Sequence, residues 1–279
     1  MKLFNKVAII GVGLIGGSLG LALRKKGLAK EVVGFFRRKK TLAAAKNKRL
    51  VTKATMSLKE AVLDADLIIL ATPVETIIKM IPRIKKLARN DAIVIDVGST
   101  KSKIVKECEK RLRDKLNFIG CHPLAGSQMS GPQAADSMIF KNSICIITTT
   151  KKTDKVALAK IERLWQALGV KPKTLSPARH DKILAFTSHL AHIIAFSLVD
   201  SIPHKYLGFI GSGFRDTTRL ASSNPVLWRD ICLSNRREIL EAISEFQDSL
   251  AKFKAYISKK KFKRLEHDFS KAKKRRDVY

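Results

Sequence analysis

The chain has 279 residues, of which 45% are hydrophobic, enough to bury a substantial core and to form two modest domains. Its 55 Lys and Arg residues outnumber 24 Asp and Glu residues, so the formal net charge is +31. This excess is spread along the chain and aromatic residues make up only 6%. The composition therefore argues against specific nucleic-acid binding and favours electrostatic attraction of anionic ligands.

No targeting or metal-binding signal stands out in the sequence. It has no run of about 18 apolar residues and no cleavable leader pattern, so we expect no membrane span and a cytoplasmic location. The cysteines lack the paired spacing of a zinc site or a disulfide framework, and we expect reduced thiols. They are Cys108, Cys121, Cys145 and Cys232.

The first predicted unit is a strand, a tight turn and a helix within KVAIIGVGLIGGSLGLALRKKG. Gly11 permits a sharp exit from the strand, Gly13 lets a pyrophosphate approach the backbone, and Gly16 lets helix and strand pack closely. The amino terminus of the helix then offers free N–H groups to the anion. We therefore predict dinucleotide binding, with an ordinary structural turn as the alternative.

The second predicted strand, Val32–Phe36, indicates which dinucleotide binds. An Asp or Glu at its end normally hydrogen-bonds the ribose 2′-hydroxyl of NAD, but here Phe36 is followed by Arg37 and Arg38. Arginine can pair with a 2′-phosphate, which favours NADP over NAD unless both arginines belong to the general basic surface. The residues predicted to contact the cofactor are Gly11, Gly13, Leu14, Ile15, Gly16, Arg37, Arg38, Thr72 and Pro73.

Strand-like apolar runs alternate with helical segments through the first half of the chain. This order predicts an α/β fold with a doubly wound, mostly parallel, Rossmann-type sheet covered by helices on both faces. Beyond Val7–Ile10 and Val32–Phe36, the predicted elements are strands at Leu67–Ala71, Ala92–Val97, Phe118–Cys121 and Ile144–Thr148, a helix from Asp154 to Leu168 and a strand from Val170 to Leu175.

After Pro177 the pattern changes to long helical stretches with no convincing strand. We therefore predict two domains, a dinucleotide-binding domain over residues 1–176 and an all-helical substrate and dimerisation domain over residues 177–279. The apolar content of the helical half is generous for a monomer. Because two-fold homo-oligomers are the commonest kind, we expect a homodimer.

Polar, turn-rich segments follow three predicted strands, where open α/β sheets bind their ligands. They read ATPVE, DVGSTKS and GCHPLAGSQMSGP. His122 stands in the third, and an imidazole with a pKa of about 6.5 can accept a proton as hydride leaves the same carbon. A structural histidine is the alternative. Ser99, Lys101 and the cofactor motif favour the catalytic interpretation.

Two motifs of the helical half carry further candidates. SHLAH places His189 and His192 on one helix face, but no carboxylate at metal-ligand spacing accompanies them, so we expect no metal. One core histidine and one facing the cleft are expected instead. GSGFRDTTRLASSNP concentrates Arg215, Asp216 and Arg219. The planar fork of Arg219 suits a substrate carboxylate, with an ion pair to Asp216 as the alternative.

Five motifs together resemble the prephenate/arogenate dehydrogenase family, and they span nearly the whole chain. The resemblance implies oxidative decarboxylation of prephenate to 4-hydroxyphenylpyruvate, or of arogenate to tyrosine, with NAD(P) as hydride acceptor. The motifs are GVGLIGGSLGLAL, DVGSTK, GCHPLAGSQMSGP, HDKILAFTSHLAH and GFRDTTRLASSNPVLWRDI.

The same resemblance implies roles for single residues. His122 matches the catalytic histidine that hydrogen-bonds the substrate 4-hydroxyl and acts as base, and Ser99 matches the serine that helps to hold that histidine and hydroxyl. Arg219 matches the arginine that binds a substrate carboxylate. The second histidine of the SHxxH motif, near the substrate side chain, corresponds to His192. Further substrate-binding, supporting or entrance roles fall to His189, Arg215, Asp216 and Trp228.

Two positions depart from the family pattern. Phe36 replaces the common Asp, which weakens the expectation of NAD, and Ala191 stands where many members have proline. The sequence leaves prephenate and arogenate open, because they differ only by a keto group against an ammonium-bearing carbon. Another Rossmann-type enzyme, such as a 3-hydroxyacid dehydrogenase, and a non-enzymatic NAD(P)-binding sensor are the remaining alternatives.

Overall fold

The computed structural model of the protein describes residues 2–126 and 129–278. Its strands are β1 (Phe4–Ile10), β2 (Ala29–Phe35), β3 (Lys53–Thr55), β4 (Leu67–Leu70), β5 (Ile93–Asp96), β6 (Asn117–Pro123), β7 (Ile144–Thr148) and β8 (Lys171–Leu175). They form one sheet in the order β3-β2-β1-β4-β5-β6-β7-β8. The predicted mostly parallel, Rossmann-type sheet is confirmed.

Two features of the sheet differ from the sequence prediction. Strand β3 was missed, because it has only three residues and begins with the exposed Lys53 instead of an apolar run. Strands β6 and β7 pair antiparallel, with Gly120 opposite Thr148 and His122 opposite Ile146. The chain that joins β6 to β7 therefore leaves and re-enters the sheet at the same end.

Six helices cover the two faces of the sheet. One buried layer packs β1, β2, β4 and β5 against α1, α2 and α6, and a second packs the opposite face against α3, α4 and α5. All four residues of β4 and all four of β5 are buried, as expected for central parallel strands. The helices are α1 (Leu14–Lys25), α2 (Lys39–Asn47), α3 (Leu58–Val62), α4 (Val74–Leu87), α5 (Ser102–Leu112) and α6 (Lys155–Ala167).

The second half is all-helical, as predicted, with no strand in the described chain beyond Leu175. Helix α7 (Pro177–Leu184) runs through a π-helical turn (Ala185–His189) into α8 (Leu190–Asp200). The remaining helices are α9 (Ser212–Thr218), α10 (Pro225–Ser234), α11 (Arg236–Ser258) and α12 (Phe262–Arg276), and short 3₁₀ turns cover His204–Phe209 and Arg219–Ser222.

The chain divides into two compact units, the first ending at Asn235 and the second beginning at Arg236. The first unit contains the sheet together with α7 to α10. In the second unit, α11 and α12 are joined by an ion pair between Lys252 and Asp268 at 2.8 Å and by packing of Phe253 on Phe269. The predicted domain boundary after residue 176 stays a prediction.

The continuous helical segment Pro177–Asp200 is long and apolar enough, by length and composition, to cross a membrane. From the sequence we expected no segment of this kind. The same segment carries the fully buried polar side chains of His180, Asp181 and His189. Of these three, His189 lines the cavity described next.

Candidate active site

A cavity of about 700 Å³ opens at the carboxyl ends of the central strands. On the sheet side it is lined by the start of α1, by Ser99 after β5 and by His122 in β6. The helical half supplies the opposite wall. That wall contains His189, His192, Arg219 and Trp228.

The turn between β1 and α1 has the geometry of a phosphate cradle. Gly11 has a φ of +100°, and a Cβ added there would lie 2.5 Å from the Ala71 carbonyl oxygen. A Cβ at Gly16 would overlap the Gly11 carbonyl oxygen, so strand and helix pack too closely for any side chain. At Gly13 an added Cβ would meet nothing within 4 Å, because its backbone faces open space.

Unsatisfied polar groups border this open space. The first turn of α1 has no capping side chain, so its N–H groups are available to an anion. Nearby, the hydroxyl of Thr72 is buried without a hydrogen-bond partner in the part of the chain that the structure describes. Pro73 is the N-cap residue of α4. The residues present therefore fit a dinucleotide.

Past the end of β2, the structure separates Phe36 from the two arginines. Phe36 is 4% exposed and belongs to the core, whereas Arg37 and Arg38 are exposed. Arg38 is the N-cap residue of α2, and the first turn of that helix contains no acidic residue. The residues that directly follow β2, 36–40, are therefore basic apart from Phe36, and none of them is a carboxylate that could hold a ribose hydroxyl.

Behind His122 lies a chain of buried polar groups. Nδ1 of His122 is 2.9 Å from Nε2 of His180, and Nδ1 of His180 is 2.8 Å from Oδ1 of Asp181. Both oxygens of Asp181 also accept backbone N–H groups at the start of α5, from Lys101 at 2.7 Å and from Ser102 at 2.8 Å. We call this chain, His122–His180–Asp181, the histidine relay.

The surroundings of the relay favour neutral histidines and an ionised Asp181 carboxylate. Burial lowers the pKa of His122 well below its usual value, and the electrostatic effects of His180 and Lys101 act in the same direction. Burial also lowers the pKa of His180, against the opposing effect of Asp181. For Asp181, burial would raise the pKa, but hydrogen bonds from His180, Ser102 and the backbone outweigh it and the pKa is lowered.

A buried ion pair lies beside the relay. The side chains of Lys101 and Asp96 are fully buried and bonded to each other. Burial raises the pKa of Asp96 despite the nearby Lys101 cation. The Lys101 cation also disfavours protonation of His122. Lys101 in the DVGSTK motif thus acts from inside the core and does not line the cavity.

Sequence reasoning missed His180, Asp181 and Asn235 as site residues. HDK, at 180–182, stands in a quoted motif, but only the later imidazoles of that motif received roles. Ser99 lies in the cavity wall as expected. However, no hydrogen bond joins Ser99 to His122 among the described residues, and the neighbour that holds His122 is His180.

The two histidines of SHLAH lie on the cavity wall in different environments. His189 is 1% exposed, its Nδ1 is 3.1 Å from Nδ2 of Asn235, and its Nε2 has no hydrogen-bond partner in the described chain. His192 is half-buried and stacks on Trp228, with ring centroids 3.5 Å apart. We expected one core histidine and one cleft histidine; His189 is the buried one, but both line the cavity.

Arg219 and the charged residues of α9 have different surroundings. Arg219 lines the cavity, and across residues 2–126 and 129–278 no ion pair joins it to Asp216. Arg215 and Asp216 are exposed and do not line the cavity. Among the described residues no cluster of three metal-binding side chains occurs. Arg219 is the only Lys or Arg side chain in the described lining of the cavity, which makes it the candidate partner for a carboxylate there.

Comparison with known proteins covers both halves of the chain. A profile described as prephenate dehydrogenase, nucleotide-binding domain, matches residues 19–173, and one described as prephenate dehydrogenase, dimerization domain, matches residues 176–271. The chain belongs to the prephenate dehydrogenase family. Membership confirms the predicted class of enzyme, an NAD(P)-dependent oxidoreductase of the prephenate or arogenate type.

Members of the prephenate dehydrogenase family resemble the chain along its whole length. The prephenate dehydrogenase of Bacillus subtilis is 34% identical over 280 residues, 98% of this chain and 76% of that one. A crystal structure of A. aeolicus prephenate dehydrogenase with hydroxyphenyl propionate and NAD+ has a TM-score of 0.92 at 33% identity, covering 99% of this chain and 98% of that one. Synechocystis arogenate dehydrogenase has a TM-score of 0.84 at 29% identity, covering 98% and 99%.

Proposed function

We propose that the protein oxidises prephenate to 4-hydroxyphenylpyruvate and CO₂, in tyrosine biosynthesis. The observation that carries the proposal is that one cavity brings together the start of α1, His122 and Arg219. A dinucleotide on the glycine turn, a neutral base and a carboxylate anchor are what this reaction needs. The position of His192 in the cavity wall, stacked on Trp228, supports a contact with the substrate side chain.

The reaction requires the protein to supply one base and to orient the substrate against the cofactor. Bound NAD(P) supplies the hydride acceptor. As the C4–H bond breaks, His122 accepts the 4-hydroxyl proton at Nε2 and the ring becomes a dienone. The bond between C1 and its carboxylate then breaks, its electron pair makes the ring aromatic, and CO₂ leaves. The phenolate oxygen takes the proton back, so His122 ends the cycle neutral.

Arogenate is the second candidate, because the similar Synechocystis enzyme is an arogenate dehydrogenase. Arogenate carries an ammonium group where prephenate has a keto group. The described lining of the cavity contains Arg219 and three imidazole side chains, His122, His189 and His192, and no Asp or Glu. An ammonium group buried there would lack a carboxylate partner, which favours prephenate.

For the cofactor we propose NADP over NAD. The exposed Arg37 and Arg38 follow β2, where a 2′-phosphate would lie, and the acid that would hold a ribose hydroxyl is replaced by the buried Phe36. Charge-assisted hydrogen bonds from two guanidinium groups suit a phosphate.

We also propose that the protein works as a cytoplasmic homodimer. Large apolar side chains of the helical part of the first unit are left exposed, including Phe209 at 87% and Leu233 at 67%. The dimerization-domain profile covers this part, and a second copy would bury these side chains. Light scattering of the purified protein should give twice the chain mass of 31.1 kDa. A monomer, or a protein recovered only with membranes, would contradict this proposal.

The test of the function is NAD(P)H formation by purified protein with each pairing of prephenate or arogenate and NADP or NAD. We expect turnover with prephenate, with the higher kcat/KM for NADP, and 4-hydroxyphenylpyruvate as product. His122→Asn should bind dinucleotide normally but lose on the order of 10²–10⁴ in kcat, while His204→Asn, at an exposed site, should not change it. A folded, dinucleotide-binding protein with no turnover in any pairing would overturn the assignment.

A further inference from the structure

We propose that Asp181, acting through His180, holds His122 in the tautomer whose Nε2 carries no proton. His180 and Asp181 do not line the cavity, so they are positioning residues and not catalytic ones. The kinetic part of this inference rests on the proposed function, in which Nε2 of His122 is the base. The structural part rests on the relay itself.

The position of each proton in the relay follows from the ionised carboxylate at its end. The Asp181 carboxylate receives N–H groups from Lys101 and Ser102 at the start of α5, where a negative charge is stabilised. An ionised carboxylate only accepts, so Nδ1 of His180, 2.8 Å away, must carry the proton. Neutral His180 then has its lone pair on Nε2.

The same reasoning applies to the hydrogen bond between His180 and His122. Nε2 of His180 accepts, so Nδ1 of His122, at 2.9 Å, donates. A neutral His122 therefore has its lone pair on Nε2, the ring nitrogen left over for the cavity that this side chain lines. That nitrogen is able to accept the substrate hydroxyl proton in every molecule, without waiting for a tautomer exchange.

The relay has an electrostatic role in addition to its hydrogen bonds, because of the charges around His122. The groups that face His122 are His180, His189 and the Lys101 cation, and Asp96 and Asp181 face His180. An imidazolium formed during turnover would thus lie near a buried cation. The Asp181 carboxylate, bonded to the next ring, is placed to stabilise that transient positive charge.

Asp181→Asn should reverse the relay. An asparagine amide can present NH₂ to Nδ1 of His180, which moves the His180 proton to Nε2 and the His122 proton to its own Nε2. The base would then be blocked. We expect kcat to fall on the order of 10²-fold to 10⁴-fold, with KM changed by less than about threefold because substrate contacts remain.

Two further variants separate this role from the support that Asp181 gives to α5. His180→Phe breaks the relay but leaves Asp181 bonded to the start of α5, and should lower kcat in the same way. His180→Gln can donate to Asp181 and accept from His122, so it should retain more kcat than His180→Phe. Asp200→Asn, the same chemical change at an exposed position of α8, is the control and should match the wild type.

A readout that needs no turnover is long-range ¹H–¹⁵N NMR of protein labelled at its six histidines. In the wild type, Nε2 of His122, assigned by its loss in His122→Asn, should show the ¹⁵N shift of an unprotonated ring nitrogen at neutral pH. In Asp181→Asn it should show the shift of a protonated one.

The outcomes distinguish this inference from the proposed function. A protonated Nε2 in the wild type, or wild-type kcat in both Asp181→Asn and His180→Phe, would overturn the relay while leaving the proposed function standing. An unprotonated Nε2 that becomes protonated in Asp181→Asn supports the relay even if neither substrate is turned over. In that case only the proposed function fails. If Asp181→Asn does not fold, the kcat of His180→Phe and the ¹⁵N shift of His122 Nε2 in the wild type decide whether the relay is correct.

Discussion

The side-chain amide of Asn235 determines where His189 carries its proton. Nδ2 of Asn235 lies 2.8 Å from the Asp181 carbonyl oxygen and 3.1 Å from Nδ1 of His189. A carbonyl oxygen only accepts, so the amide presents its NH₂ group to both atoms and Nδ1 of His189 accepts. The proton of neutral His189 is therefore on Nε2, which is unpartnered in the described chain. His189 offers the cavity a donor, where His122 offers an acceptor.

Replacing Asn235 by leucine should weaken substrate binding through His189. The change removes the donor that fixes the tautomer and leaves the buried Nδ1 of His189 without it, at a cost of about 1–3 kcal/mol in unfolding free energy. The Asp181 carbonyl keeps the N–H of Ala185. We expect KM for the substrate to rise roughly tenfold or more, with a smaller change in kcat. Steady-state kinetics with Asn47→Leu, at an exposed position of α2, provides the comparison. An unchanged KM would show that His189 does not bind substrate.

Arg37 and Arg38 should decide the choice of cofactor. Each charge-assisted hydrogen bond to a 2′-phosphate contributes about 1.5–3 kcal/mol, whereas NAD has no such phosphate. Replacing both arginines by alanine should lower kcat/KM for NADP at least about tenfold and leave that for NAD nearly unchanged. Arg83→Ala, on the exposed side of α4, should alter neither value. Equal losses with both cofactors would assign the two arginines to the general basic surface.

Among the elements, the β1–α1 turn shows how one sequence motif serves both packing and binding. Gly11 and Gly16 are required by the fold, since a side chain at either would meet backbone of the same or the neighbouring turn. Gly13 is different, because a Cβ there meets nothing within 4 Å and its φ is −96°. The fold therefore leaves room for a side chain at this position, and we expect the glycine to serve the approach of a dinucleotide.

Two alanine substitutions separate these roles. Gly13→Ala should unfold at the same denaturant concentration as the wild type but raise the Kd for dinucleotide, because the methyl group occupies the approach to the backbone. Gly16→Ala should instead lower the unfolding midpoint, since the backbone must move to admit it. Gly208→Ala, where a Cβ also meets nothing within 4 Å, controls for the loss of glycine. Wild-type dinucleotide affinity in Gly13→Ala would contradict this assignment.

The elements also show how much of the fold and of the site could be predicted from the sequence alone. Apolar runs such as Leu67–Leu70 are buried on both faces, so pattern located them to within a residue or two. Strand direction is not encoded in such runs, and the antiparallel pairing of β6 with β7 was therefore not predicted. His122 and His180 are 58 positions apart. The packing of α7 against α5 and β7 brings them together, which is why the relay was not foreseen.

At the scale of the whole molecule, the buried histidines couple stability to pH. Burial is the main cause that lowers the pKa values of His122 and His180, and it lowers the pKa of His189 to about 4. In the unfolded chain a histidine takes up a proton near pH 6.5. Below that pH the unfolded state therefore binds more protons than the folded state, and acid favours unfolding.

The free energy of unfolding should fall as the pH decreases from about 6.5 to 4. His189 alone contributes roughly 3 kcal/mol of this loss, taking the shift from 6.5 to about 4 at about 1.4 kcal/mol per pH unit. Urea unfolding across this range at one protein concentration measures the effect. His189→Gln should flatten the dependence, whereas the exposed His204→Gln should not. A pH-independent midpoint would show that these histidines are protonated in the folded protein.

The antiparallel pairing of β6 and β7 has a consequence for how the family can diversify. Because the connecting chain starts and finishes at the end of the sheet where the cavity opens, part of it, Leu124–Gly126 and 129–131, forms cavity wall without spanning the sheet. Leu124 and Met129 are the exposed large side chains of this wall, so we expect substitutions at these two positions to change what the cavity admits while the backbone pairing of β6 with β7 remains. Gly131 differs from them, because its φ of +86° strains any side chain. Natural variation or laboratory evolution can therefore act on substrate preference at the two exposed positions with little cost to folding.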